Sequence, residues 1–184
     1  PIKARHVIYS CAVGVSDPIG LTHDILKLRG DQTAAFEFLV HDYFSISPSY
    51  CLLDSNYAYL GVSGENMSDQ KHSFQGPTGS RISNSDWRNN WLKMLNASDE
   101  IVCFSNSSAM LIRRAFPALT TPIAIKPHKI AKIRKPRSIG TSDLCTIGIL
   151  GDIGVQKGAK VLSALSELML SDSNQRIVVI GRVD

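Results

Sequence analysis

The chain has 184 residues, 43% of them hydrophobic and 20% charged, which is enough apolar material for one sizeable core or two small ones and too little charge for a disordered polymer. Its net charge of +4 is an excess common in soluble enzymes, so charge alone selects neither a nucleic-acid binder nor a membrane-surface protein. Cys11, Cys51, Cys103 and Cys145 are widely spaced, with no CxxC pair and no zinc-type Cys/His cluster, which argues against a disulfide scaffold or structural metal and for a reducing, cytoplasmic compartment.

Three of these cysteines lie in apolar runs (YSCAV, EIVCF, LCTIGIL) and read as small buried hydrophobes. No apolar stretch approaches the ~20 residues needed to cross a bilayer, and no basic-then-apolar leader opens the chain, so a soluble or peripheral protein is expected. The start at Pro1, followed almost at once by a strand-like run, and the end just after Arg176 to Val183 (RIVVIGRV) lead to the expectation of a piece cut from a longer chain.

In chain order, His6 to Val13 predicts a buried strand ending at Gly14. Leu21 to Leu28 sets Leu21, Ile25 and Leu28 at helical spacing, with Gly30 as the stop. Phe36 to Val40 (FEFLV) predicts a second strand, which delivers His41 and Asp42 to its carboxyl end, where open α/β sheets hold ligands. From Ser45 to Ser85 the chain is polar and rich in Gly, Ser and Asn; a connection of that length is functional or disordered. Ser85 or Asp86 then caps a helix whose Trp87, Trp91, Leu92 and Leu95 share a core-facing stripe.

Glu100 to Phe104 (EIVCF), a polar turn at Ser105 to Ser108, and a helix through Met110, Leu111 and Arg114 to Pro117 form the strand–turn–helix unit of a parallel sheet. Pro122 to Ile125 is a further short strand, ending at Lys126, Pro127 and His128. The run from His128 to Asp143 is basic with little apolar periodicity, the composition of a linker. The pattern then restarts with a strand at Cys145 to Leu150, a glycine-containing turn, a helix at Ala159 to Leu170 and a strand from Arg176.

The turn LGDIGVQKG (Leu150 to Gly158) is the strongest chemical signal. Gly151 and Gly154 allow a tight turn or close approach to a ligand, the helix that follows offers free N–H donors and a partial positive charge, and Lys157 adds a cation, together a candidate diphosphate site. A tight βα turn with a surface lysine accounts for the same spacing, and neither GxGxxG nor the P-loop pattern is present. His41 and Asp42 are the second candidate, an imidazole with a carboxylate to orient it or bind hydroxyls; a loop-capping role is the alternative. His128 is the third, a candidate lining of a domain crevice, where small ligands lodge. The basic residues Lys126, Lys129, Lys132, Arg134, Lys135 and Arg137 offer charge for lipid headgroups or phosphates but lack interleaved aromatic rings for base stacking.

Three blocks, in order, carry a resemblance: HDYFSISPSYCLLD (His41 to Asp54), DWRNNWLKMLNASDEIVCFSNSSAMLIRRAFP (Asp86 to Pro117) and IGILGDIGVQKGAKVL (Ile147 to Leu162). The chain resembles the group 1 glycosyltransferases, particularly the branch of bacterial polysaccharide synthesis. The resemblance implies an α/β fold with Rossmann-like parallel sheets of the GT-B type, incomplete in this chain. It implies residues 1–127 as an acceptor-side domain lacking its N-terminal part, 128–143 as a basic linker, and 144–184 as the start of a donor-binding domain.

The implied activity is transfer of a hexosyl or deoxyhexosyl unit from a nucleotide diphosphate sugar to an acceptor hydroxyl in cell-surface polysaccharide synthesis, with retention, no required metal and no cofactor beyond the nucleotide sugar co-substrate. The acceptor would be a saccharide or lipid-linked saccharide, the location cytoplasmic with peripheral contact at the inner face of the membrane, and nucleic acid not a partner. His41 and Asp42 match the catalytic histidine near the transferred sugar and its neighbour. Gly151, Asp152, Gly154, Lys157 and Gly158 match the donor-diphosphate turn. Many relatives carry Arg where Asp152 stands, the partner cation for the diphosphate. The acidic donor-binding motif falls beyond Asp184, so these residues alone are expected to have little or no activity. Two rival readings are a non-catalytic Rossmann-like binding module and a polyanion binder using the basic linker.

Overall fold

Two short sequences, AFEFLV and EIVC, set the architecture, because each is apolar enough to be covered by helices on both faces. The computed structural model describes residues 5–29, 34–64, 68–77, 79–129, 144–170 and 174–182, and the chain divides into two compact units, Pro1–Lys129 and Ile130–Asp184. The first runs β1 (His6–Tyr9), α1 (Pro18–Arg29), β2 (Ala35–Val40), β3 (Phe74–Gln75), β4 (Arg81–Ile82), α2 (Asn84–Ala97), β5 (Glu100–Cys103), α3 (Asn106–Ala115) and β6 (Ile123–Ile125). The second contains β7 (Cys145–Leu150), α4 (Ala159–Met169) and β8 (Gln175–Ile180). The protein is a mixed α/β structure with a parallel sheet.

In the first unit the sheet order is β1-β2-β5-β6, and each neighbouring pair is parallel. Phe36, Phe38 and Val40 alternate along β2 on a fully buried face, and β5, flanked on both sides, buries Ile101, Val102 and Cys103. Against this sheet α2 lays Trp87, Trp91, Met94 and Leu95, all without solvent exposure. Tyr9 stacks on Phe38 with centroids 4.4 Å apart, and Trp91 meets Tyr9 edge-on at 5.5 Å, the offset and T-shaped geometries that aromatic quadrupoles favour. The tryptophan stripe is therefore core, as its spacing predicts.

The Asp99 carboxylate ties three elements at the opposite edge. One oxygen accepts from the Arg29 guanidinium at the end of α1 and the other from the Phe36 N–H in β2, both at 2.7 Å.

Several expected boundaries move for local reasons. β1 stops at Tyr9 instead of Val13, because Ala12 and Val15 close a turn through the Val15 N–H and Ala12 carbonyl. α1 begins a turn earlier than expected, with Pro18 in the first helical position and Asp17 accepting from the Gly20 N–H at 2.8 Å. Leu21 and Ile25 pack on the core, while Leu28 is 58% exposed and off the apolar face. Gly30, the expected stop, lies outside the described residues. Ser83, not Ser85 or Asp86, caps α2, accepting from the Asp86 N–H at 3.0 Å.

The long connection after β2 is built, not loose, over its described residues. Ile46, Leu52 and His72 are fully buried. Trp87 donates its indole N–H to the Phe44 carbonyl at 2.7 Å, and Arg88 donates to the carbonyls of Ile46 at 3.0 Å and Ser63 at 2.8 Å. His72 Nδ1 lies 2.7 Å from the Ser47 hydroxyl. The polar composition between Ser45 and Ser85 hid these anchors because they follow neither a helical nor a strand period.

In the second unit β7 and β8 pair in parallel over six residues each, with α4 as the crossover. The expectation that three cysteines are buried holds for Cys103 only. Cys11 stands in the turn beyond β1 and Cys145 on the first residue of β7, and both are exposed; Cys51 is half-buried.

Candidate functional site

Parallel pairing brings the carboxyl ends of β1, β2, β5 and β6 to one edge of the first unit. His41 and Asp42 follow β2 directly, Phe104 follows β5, and His128 comes three residues after β6. The structure brings the two separately predicted histidines together on a phenyl ring. His41 stacks on Phe104 with centroids 4.6 Å apart, His128 stacks on the same ring at 4.1 Å and an interplanar angle of 8°, and the two imidazoles are 6.2 Å apart. Both histidines are exposed and Phe104 is half-buried, so the phenyl ring fixes the imidazole planes while their nitrogens stay open to solvent. His128 thus belongs to the first unit, which extends through Lys129.

Asp42 is held at both oxygens. One accepts from the Phe44 N–H at 2.9 Å, an Asx-type turn, and the other accepts from the Cys11 thiol at 3.2 Å. Desolvation, with the adjacent carboxylate adding to it, pushes the Cys11 thiol up from its ordinary value, in keeping with a thiol that donates to Asp42. Beneath them burial raises the Tyr9 hydroxyl, reinforced by the Asp42 charge. Tyr43 extends the edge to α3, its hydroxyl 3.2 Å from that of Ser108. Ser105 caps α3 by accepting from the Ser108 N–H at 3.1 Å. The arrangement suits hydrogen bonding to a polyhydroxylated or phosphorylated group at the sheet edge: two imidazoles, one oriented carboxylate and a cluster of hydroxyls.

The second predicted site is the turn after β7. Gly151 adopts φ +107°, and a Cβ on Gly181 would sit 2.1 Å from the Gly151 carbonyl oxygen, so the β7 turn crosses the end of β8 only because both residues are glycines. Gly158 has φ +91° and caps α4 without a side chain. Gly154, at φ −93°, is buried but needs no special backbone freedom.

A short 3-10 turn over Val155–Lys157 precedes α4, so the helix starts two residues beyond Lys157. The N–H groups of Lys157, Gly158 and Ala159 donate to the carbonyls of Gly154, Val155 and Gly154, so these three amides are spent within the turn itself. What the turn does offer is cationic charge. Lys157 is exposed, and Arg182, just past β8, reaches back to Asp152. The Asp152 carboxylate accepts from the Arg182 backbone N–H at 3.1 Å and from its guanidinium at 3.2 Å. That pair, aided by Lys157, pulls the Asp152 carboxyl below its ordinary range.

Phe104, Cys11 and Arg182 were not signalled by the sequence as site residues. Each does its work across strands, so only the pairing register of the sheets could have found them. Of the basic residues around the linker, Lys126 is ion-paired with Glu100 and Lys129 is exposed, while Lys132, Arg134, Lys135 and Arg137 lie outside the described residues.

Among the described residues no group of three or more His, Cys, Asp or Glu is placed to hold a metal ion, and no helix is long and apolar enough to cross a membrane. The fold and edge define a mixed α/β protein whose parallel sheet gathers polar ring side chains at its carboxyl ends. No family model matches the chain, and no curated protein matches it.

Proposed function

We propose that the chain is a Rossmann-like part of a GT-B glycosyltransferase that moves a hexosyl or deoxyhexosyl unit from a nucleotide diphosphate sugar to a saccharide or lipid-linked acceptor in polysaccharide synthesis. The observation that carries this reading is the convergence of His41, Asp42 and His128 at the carboxyl edge of the parallel sheet, the edge where open α/β sheets bind ligands. The three sequence blocks in family order support it. In this reading the first unit binds sugar hydroxyls, with His41 and His128 as donors or acceptors and Asp42 as an acceptor; the second unit, taken by itself, offers Lys157 to a diphosphate, whose charge stabilisation supplies much of the catalysis in such transfers. The co-substrate is the nucleotide sugar, with no further cofactor, and the working place is the cytoplasmic face of the membrane.

The committed amides of the 3-10 turn favour a second reading, a non-catalytic Rossmann-like module that holds a sugar or nucleotide without turnover. Titration of UDP, GDP and their hexose conjugates, followed by backbone amide shifts, tests the donor half. Shifts centred on Lys157 and Arg182 are expected, with Lys157→Ala weakening affinity about tenfold, the loss expected for one charge-assisted contact. Shifts for none of the nucleotides at either residue would remove the donor assignment. Nucleotide binding without sugar transfer by a longer chain that carries the downstream acidic motif would favour the second reading.

A further inference from the structure

The hairpin inside the long connection has two faces with different tasks. Phe74 pairs with Ile82 and Gln75 with Arg81, and side chains directly opposite in a ribbon project to the same side while successive ones alternate. Phe74 and Ile82 pack on the core, with the Phe74 ring 5.3 Å from Trp87. Gln75 and Arg81 therefore turn outward together, and both are exposed.

The hairpin tip is closed by hydrogen bonds from the Gly76 N–H to the Ser80 carbonyl at 2.8 Å and from the Gly79 N–H to the Gly76 carbonyl at 2.9 Å. Just before the hairpin, a 3-10 turn over Gln70–His72 is capped by Asp69 and pinned from beneath by the buried His72. Gln70, Ser73, Gln75, Gly79 and Arg81 line an open concavity of about 490 Å³, within the ~300–1,000 Å³ common to small-molecule sites.

The chemistry of this lining is specific. Two primary amides each present a donor and an acceptor, which is the complement of a sugar hydroxyl. The Ser73 hydroxyl donates to the Gln70 carbonyl at 3.1 Å, so its oxygen remains available to accept. Among the described residues Arg81 is the one charged side chain in the lining and forms no ion pair. A guanidinium matches a carboxylate through two parallel hydrogen bonds. Among the described residues the lining has no aromatic ring on which a nucleobase could stack and no aliphatic side chain to hold an apolar ligand.

We propose that this concavity binds an acidic saccharide, with Arg81 taking the carboxylate of a uronate and the amides of Gln70 and Gln75 taking its ring hydroxyls. Calling that sugar the transferase's acceptor rests on the reading above; the binding itself does not. The core contact of Phe74 and the buried His72 fix the backbone that carries these groups.

The test is a titration of the 184-residue chain with digalacturonate, with the neutral digalactoside and inorganic phosphate as comparison probes, read from the side-chain amide and guanidinium signals of Gln70, Gln75 and Arg81. Digalacturonate is expected to shift these signals, and the neutral disaccharide to bind about tenfold more weakly, the worth of one charge-assisted pair. Arg81→Gln, which preserves a polar cross-strand partner for Gln75, should lose the preference for the acid, and Arg81→Lys should retain part of it. Unchanged backbone shifts around Phe74 and Trp87 show that the variants fold.

Equal binding of both disaccharides, equal or tighter binding of phosphate at the same residues, or shifts centred elsewhere would each overturn the assignment. Nucleotide titration at Lys157 reports separately on the transferase, so the two can fail independently.

Discussion

The two units share a strand–helix–strand grammar and differ in how far it buries itself. In the first, a four-stranded parallel sheet under α2 leaves Trp87, Trp91, Phe36 and Ile101 without exposure. In the second, two strands and one helix bury only Ile153 and Ala159 among their described apolar side chains, while Leu150 is 76% exposed, Ile180 63% and Leu168 77%. One helix cannot cover both faces of a two-stranded ribbon, and its own second apolar stripe is left facing outward. Periodicity therefore specifies the elements of a βαβ unit, whereas closure of a core depends on how many such units stack.

The largest test of this contrast is Trp91→Ala. It should cost the first unit about 3–5 kcal/mol, the range for emptying a buried aromatic site, while protection of β7 and β8 in hydrogen exchange under mild denaturant stays unchanged. A parallel loss in both units would mean that they unfold as one body.

His72→Gln comes next, with an expected loss of about 1–3 kcal/mol near neutral pH from breaking its buried link to Ser47. Burial holds the His72 imidazole below its ordinary value, with Arg88 helping and Asp69 and Asp54 opposing. The unfolded chain therefore takes up the proton first, and this contribution is complete above about pH 6.5 and declines as pH falls below it. The variant should flatten that slope in chemical denaturation series, and an unchanged slope would remove His72 as its source.

Without any substitution, the β5 amides of Ile101 to Cys103 should exchange more than about tenfold slower than those of Ile147 to Ile149, since only the former lie between two described strands. Asp152→Asn is the mildest change. It should speed exchange of the Arg182 N–H with little effect elsewhere, and the wild-type tie should weaken only as pH drops below about 4, where the carboxylate gains a proton.

Much of the fold was legible where apolar spacing is regular. Cys145–Leu150 appears with the expected bounds, FEFLV and EIVCF are strands to within a residue, and the Trp87/Trp91 stripe is core. The placement of His41 at a strand's carboxyl end was legible, because the run FEFLV ends immediately before it. Its partnership with His128 was not legible, because it requires β2, β5 and β6 to lie side by side, and no single strand encodes its neighbours. The same holds for Asp152 and Arg182, 30 residues apart and joined by the β7–β8 register. Ile46, Leu52 and His72 were missed for another reason: they are buried singly along an aperiodic connection, where position is set by anchors such as Trp87 and Arg88.

The chain's two tryptophans, Trp87 and Trp91, both sit in the first unit, 5.9 Å apart ring to ring. Light absorbed by indole alone therefore interrogates the first unit, and emission colour and quenching follow the aromatic cluster while remaining silent about the glycine crossing at Gly151 and Gly181. A fluorescence melt and a hydrogen-exchange melt of the same sample become two separate clocks, and any lag between them measures the independence of the units without a label.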